Sequence, residues 1–182
     1  MSTKDEYIIV LDFLSSGKSS DRRAEPLAQG LGDKFFSLLE VVIKEGSTVK
    51  TRDRIYVGDS KREEVKYIRT KIRYSELTSY AKDMLEEVVN SIVSNDEKRF
   101  VNFFNTAGSL TTRMHSLELL PGIGKRHMWQ IISERRKKSF ESFEDLKSRI
   151  DMMTEPKKMI IKRIMEELKE KDGHQIFVGA PL

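Results

Sequence analysis

Residues Leu117 to Arg135, Leu-Glu-Leu-Leu-Pro-Gly-Ile-Gly-Lys-Arg-His-Met-Trp-Gln-Ile-Ile-Ser-Glu-Arg, constrain the fold more than any other stretch of the chain. An apolar helical run meets Pro121, which lacks an N–H and crowds the turn before it, so the run must end there. Gly122 and Gly124 tolerate positive φ and close backbone approach. Ile123 between them is large enough to tuck between two helices and set the angle of the turn. A second helix then starts near Lys125 and ends in Arg135-Arg136-Lys137-Lys138. Amides around Gly122, Gly124 and Lys125 lie at a helix N-terminus, where partial positive charge favours an anion such as phosphate.

From Leu110 to Lys138 these residues closely resemble the helix-hairpin-helix motif of DNA- and RNA-handling proteins, a leucine followed by Pro-Gly-Ile-Gly and a helix ending in arginine. The resemblance implies that the hairpin backbone, Gly122 to Arg126, holds a nucleic-acid phosphate without reading bases, sometimes with a monovalent cation. Met128 departs from the pattern, which has alanine there for close helix packing. A hairpin of this kind also serves purely to join helices in protein-interaction domains.

The chain has 182 residues, 38% of them hydrophobic and 34% charged, enough for one generous domain or two small ones. No run approaches the roughly 18 apolar residues that span a bilayer, so no membrane contact is expected, and the polar, acidic start is unlike a signal peptide. The absence of cysteine adds the expectation of a cytoplasmic address. Cysteine is absent, which removes disulfides, thiolate catalysis and cysteine zinc sites together. The net charge of +4 is modest, so a nucleic-acid footprint must be a local patch.

Tyr7 to Leu14 reads as a buried strand, rich in β-branched and aromatic residues. Ser15 to Asp33, with three glycines and Pro26, is expected to be a loop. Its Gly17-Lys18-Ser19 lacks the glycine five residues earlier that a phosphate-binding P-loop requires; Asp12 stands there. Phe35 to Lys44, Asp53 to Gly58 and Val65 to Tyr74 continue with short segments separated by turns, the pattern of a small barrel like an OB-fold. Between Lys50 and Tyr74 nine cations face four carboxylates. Arg52, Arg54, Lys66, Arg69, Lys71 and Arg73, interleaved with Tyr56 and Tyr67, suit a single-stranded nucleic acid. The same alternation also arises when tyrosines rim a barrel core and the cations are simply solvated.

Ser75 to Ser94 carries an unbroken apolar stripe and is expected to be a core helix. Asn95 or Asp96 caps a following helix through Phe100, Val101, Phe103 and Phe104. Ser142-Phe143-Glu144-Asp145 opens another helix with a capping-box pattern, and Thr154-Glu155-Pro156 opens the last. The segment between these last two, Asp151 to Pro156, looks like a second, degenerate hairpin lacking glycines and so unable to present its backbone to phosphate. His174 to Val178 is expected to form a short strand, with Gly179 to Leu182 as a frayed end.

Catalytic signatures are missing. His115, His127 and His174 have no partner at metal-ligand spacing, and the doublets Glu63-Glu64, Glu86-Glu87 and Glu166-Glu167 look like solvated faces. No Gly-x-Ser-x-Gly elbow occurs. A hairpin-based DNA glycosylase carries a catalytic aspartate, often with a lysine, in a particular downstream context that the segment after Arg135 lacks.

From Tyr7 to Val178 the combination resembles an uncharacterised archaeal family of nucleic-acid-binding, often RNA-binding, proteins. The expectation is an α+β chain: an OB-like β-barrel over residues 1–75, connecting helices over 76–108, an all-α helix-hairpin-helix domain over 109–172 whose second hairpin is degenerate, and a terminal strand and tail over 173–182. Function is expected to be non-catalytic nucleic-acid binding, RNA more than DNA, without cofactor, metal or small-molecule substrate. The hairpin residues Gly122, Ile123, Gly124, Lys125 and Arg126, the cations Arg135, Arg136, Lys137 and Lys138, and the basic barrel strands would carry it. The alternative is a protein-interaction adaptor in an RNA-processing or ribosome-associated assembly, with the hairpin used structurally. A nuclease-like enzyme would need carboxylates gathered from distant segments.

Overall fold

The computed structural model describes residues 4–169 and 173–179. The chain divides into two compact units, one running to Val88 and resuming at Glu167, the other from Val89 to Glu166. Both boundaries fall inside helices.

The first unit is a five-stranded antiparallel sheet: β1 (Tyr7–Leu14), β2 (Leu27–Gly32), β3 (Leu38–Ile43), β4 (Arg54–Tyr56) and β5 (Val65–Lys71), in the order β4-β1-β2-β3-β5. The outer strands β4 and β5 do not pair with each other, so where a small barrel was expected the sheet is a curled, open half-barrel. Strand alternation sends Ile8, Val10, Ala28, Val41, Ile43, Ile55 and Val65 to one face, where they form a core with Val49 and Val57. A bulge between Val10 and Asp12 shifts the register of β1. It lets Leu11 be buried as well as Val10, which strict alternation would forbid.

β2 corrects the expected loop over Ser15 to Asp33. Its two glycines resemble turn punctuation, yet all six residues are buried. Gly30 is required by contact: a Cβ there would lie 2.6 Å from Ile8 Cδ1. On the opposite face Gln29 is fully buried, and its amide donates to Glu40 (3.0 Å) and to the Glu76 carbonyl (3.1 Å) while accepting from the Thr78 amide (2.9 Å). All the polar groups of that side chain are thereby matched, as burial demands.

After a 3₁₀ turn at Tyr74–Glu76 comes α1 (Ser79–Asn95), four residues later than the apolar stripe alone indicated. Thr78 Oγ1 accepts from the Ala81 amide (3.0 Å), the N-cap bond that fixes this start. The segment from His174 to Val178 is not a strand. It turns around the Glu167 carboxylate, which accepts from the amides of Ile176 (2.9 Å), Phe177 (3.0 Å) and Val178 (2.9 Å). Glu167 is only 4% exposed and Phe177 is fully buried, so this acidic side chain is a structural anchor and not half of a solvated doublet. The Gly179 amide donates to the Phe35 carbonyl (2.8 Å), and the remainder of the expected frayed end lies outside the described residues.

The second unit holds the end of α1, then α2 (Glu97–Thr106), α3 (Lys125–Lys137), α4 (Phe143–Arg149) and most of α5 (Pro156–Lys169). Phe100, Phe103 and Phe104 are buried, which makes the phenylalanine cluster packing. Ser142 caps α4 by accepting from the Asp145 amide (2.9 Å), and Pro156 occupies the first helical position of α5, where its missing N–H costs nothing. The helix expected before Pro121 is largely absent. Ser109 and His115 instead form an isolated β-bridge, followed by a 3₁₀ turn at Ser116–Leu119.

Candidate nucleic-acid interface

The hairpin is built from the turn outward. The Ile123 amide donates to the Leu120 carbonyl (3.1 Å), and Gly122 takes φ +90°, a conformation that residues with Cβ rarely adopt. Ile123 is buried beneath the turn, as its size required. Gly124 is the N-cap of α3, in an extended conformation without a side-chain cap. A Cβ on it would meet nothing within 4 Å, so its backbone is open to approach. By their place in the first turn, the amides of Lys125, Arg126 and His127 have no intrahelical acceptor. Lys125 and Arg126 are exposed, and no ion-pair partner stands against either among the described residues.

Met128, where the resemblance has alanine, is buried at 5% exposure. His127 Nε2 donates to the Asp151 carbonyl (3.0 Å), and Gln130 Oε1 accepts from the Asp151 amide (3.3 Å). The second hairpin therefore packs on α3. It repeats the bend of the first: the Met153 amide points to the Ile150 carbonyl (3.4 Å) and Met152 takes φ +53° where Gly122 takes +90°. The bend itself thus survives without glycine. Glu155 immediately precedes α5 and pairs with Lys147, which holds its carboxyl below the usual range. That negative charge at the helix start disfavours an anion.

The four cations closing α3 have three different fates. Arg135 is half-buried and donates to the carbonyls of Phe104 (3.0 Å) and Ala107 (2.8 Å), closing the end of α2. Burial, and then the neighbouring Arg136, lowers its pKa. Lys137 pairs with Glu134 (2.6 Å) and Lys138 with Glu141 (3.0 Å). Only Arg136 of the four is without a partner among the described residues. The carbonyls that end α3 are satisfied from elsewhere: Arg149 Nη2 donates to those of Glu134 (2.8 Å) and Lys138 (2.7 Å), and its guanidinium lies over the Phe140 ring (4.4 Å to the centroid). Nothing local in the sequence marked Arg149 for that task.

On the half-barrel most of the predicted cations are engaged. Arg69 makes a bidentate pair with Asp21 (2.6 and 2.8 Å), which holds the Asp21 carboxyl down at about 2. Lys66 (3.0 Å) and the Tyr67 hydroxyl (2.9 Å) both donate to Glu25, whose pKa is lowered by Lys66 first and Tyr67 second. Arg54 pairs with Asp33 (2.8 Å) and lies 3.5 Å from the centroid of Tyr7. Arg52 pairs with Glu87. The Tyr56 ring packs edge-on against Tyr7 (centroids 5.2 Å apart) and its hydroxyl accepts from the Ser60 amide (3.1 Å). Tyr56 is thus a tyrosine at the rim of the half-barrel core, while Lys71 and Arg73 remain exposed.

Sequence reasoning passed over Trp129, the only tryptophan, which is 62% exposed on α3. Its signal was present: it sits at a polar position between Lys125 and Ser133. Among the described residues no group of histidine, cysteine and carboxylates could hold a metal, and no helix is long and apolar enough to cross a membrane.

Half-barrel sheet, helical unit and glycine hairpin together define an α+β protein with a basic, partly unpaired helix face. The chain belongs to the family described as protein of unknown function (DUF655), whose model matches residues 4–179. It is 43% identical over 176 residues to the uncharacterized protein MJ0038 of Methanocaldococcus jannaschii, covering 96% of this chain and 80% of that one. The crystal structure of Af1531 from Archaeoglobus fulgidus, of the same family, is 44% identical with a TM-score of 0.86, covering 97% of this chain and all of that one.

Proposed function

We propose that this chain is a non-catalytic nucleic-acid-binding protein that grips the phosphate backbone at Gly122 to Arg126, with RNA favoured over DNA. The observation that carries the proposal is an open bend beside exposed charge: Gly124 has free space around it, and Lys125 and Arg126 are exposed with no ion-pair partner among the described residues. On this reading residues 116–137 are a helix-hairpin-helix whose first helix has shrunk to a 3₁₀ turn, and 143–169 are its packing partner. The half-barrel then acts as an OB-like platform of reduced charge, contributing chiefly Lys71 and Arg73.

Gly124→Val is the decisive test. The native φ of −96° suits valine, so the fold is kept, but the side chain stands where a phosphate oxygen must come. Because glycine is a better N-cap than valine, we expect Tm to fall by about 2–4 °C with a cooperative transition kept, and about tenfold weaker binding of a labelled RNA oligonucleotide. Retained affinity in a folded Gly124→Val protein rules out the backbone grip. If the variant keeps a protein partner in a pulldown while the wild type binds no oligonucleotide, the adaptor reading replaces this one.

A further inference from the structure

The exposed face of α3 combines two features that nucleic-acid backbone binding alone does not explain. At 100° per residue, Lys125, Trp129 and Arg136 fall within about 40° of one another around the helix axis, with Arg126 and Ser133 alongside. The buried side of the helix is Met128, Ile131 and Ile132. Trp129 therefore lies outside the buried stripe, and at 62% exposure it leaves most of a large aromatic surface in water. The one carboxylate of α3, Glu134, is occupied by Lys137 and Arg149, so the face carries cations without a matching acid.

We propose that this face binds single-stranded nucleic acid, with an unpaired base stacked on the Trp129 indole while Lys125, Arg126 and Arg136 hold the phosphates on either side. The inference rests on the phosphate-gripping role of the hairpin and adds the substrate class. Charge complementarity calls for a polyanion, and the indole calls for a flat π-face. A duplex offers the first but stacks its bases against each other and shows only their edges. A single strand or loop offers both. An acidic peptide offers charge without an extended run of π-faces.

Because Trp129 is the only tryptophan among five tyrosines, tryptophan emission excited beyond the tyrosine band reports on this face of the full chain. Titration with a uridine 12-mer is expected to quench it saturably, and a duplex of the same length or heparin to quench it weakly. By anisotropy of labelled oligonucleotides, Trp129→Ala should lose about tenfold or more in single-strand affinity, with duplex affinity and melting temperature unchanged. Trp129→Phe, which keeps a π-face, should stay within about threefold of wild type. Wild-type single-strand affinity in Trp129→Ala overturns the stacking proposal, as does equal quenching by heparin and single strand. If the hairpin variant Gly124→Val weakens binding while Trp129→Ala does not, stacking fails and the phosphate grip stands. If no nucleic acid binds at all, both fail.

Discussion

Two stretches of the chain look alike in sequence, cations interleaved with aromatics at Lys50 to Tyr74 and at Lys125 to Lys138, yet they differ in what the cations face. On β5 the cations nearest Tyr67 each meet a carboxylate of the loop between β1 and β2, Asp21 for Arg69 and Glu25 for Lys66. On the outer face of α3, Lys125, Arg126 and Arg136 meet none among the described residues. Counting basic residues measures potential only where the fold leaves the charge uncompensated, since a paired cation presents a dipole and not a monopole to a distant polyanion.

The largest expected effect breaks the comparison if it fails. Lys125→Glu with Arg126→Glu should weaken RNA binding about 30- to 100-fold near 50 mM salt and lower the magnitude of the log K against log salt slope by about 2. The same reversal at Lys66 and Arg69 should change affinity by about threefold or less. Equal losses at the two places, measured by anisotropy across a salt series, mean that pairing does not decide which surface binds.

Arg135 separates charge that binds from charge that builds. Its guanidinium closes the carbonyl end of α2, so Arg135→Ala leaves the Phe104 and Ala107 carbonyls without their donor and should cost about 2 kcal/mol of stability. For a chain of this size that lowers Tm by about 4–8 °C in calorimetry. Below the melting range its RNA affinity should stay near wild type. A tenfold affinity loss with an unchanged Tm would move Arg135 into the binding surface.

The contrast also explains how much was legible in advance. Local rules sufficed where one residue decides one bond: Pro121 and Gly122 for the bend, Ser142 for the α4 cap, the apolar stripe for α1. They failed where the decision is made at a distance. β2 was hidden because Gly30 serves a contact with Ile8 twenty-two positions earlier in the chain, not a turn. Glu167 looked solvated because the amides it accepts belong to residues nine to eleven positions later, brought back by a fold that no short pattern encodes. The helix expected before Pro121 failed for another reason: Ser116 accepts its place from Gly108, whose carbonyl takes both the Ser116 amide (2.9 Å) and hydroxyl (2.8 Å), and this loop closure displaces helix. Trp129 was legible but unweighted, since its exposure depends on which face of α3 turned inward.

The finest test unmasks the half-barrel. Replacing Asp21 with Asn and Glu25 with Gln removes the two carboxylates while keeping their shapes. Each amide offers one acceptor where the carboxylate offered two, so the bidentate Arg69 pair and the shared Lys66–Tyr67 acceptor are each cut to one bond and the Arg69 and Lys66 charges are released. RNA affinity should rise about three- to fivefold and the salt slope should steepen by about 1, the change expected when roughly one more cation reaches a phosphate. Acid cannot substitute for these mutations. The Asp21 carboxyl titrates at about 2 in the folded chain against an ordinary 3.8, so the pairing is at full strength above pH 3.8 and is lost only as pH falls through about 2. Binding measured between pH 7 and 5 should therefore show no gain from the half-barrel in the wild type, and the gain should appear in the double variant at every pH in that window. An unchanged affinity in a folded double variant would mean that β5 lies away from the path of the nucleic acid whatever its charge, leaving α3 as the sole binding face.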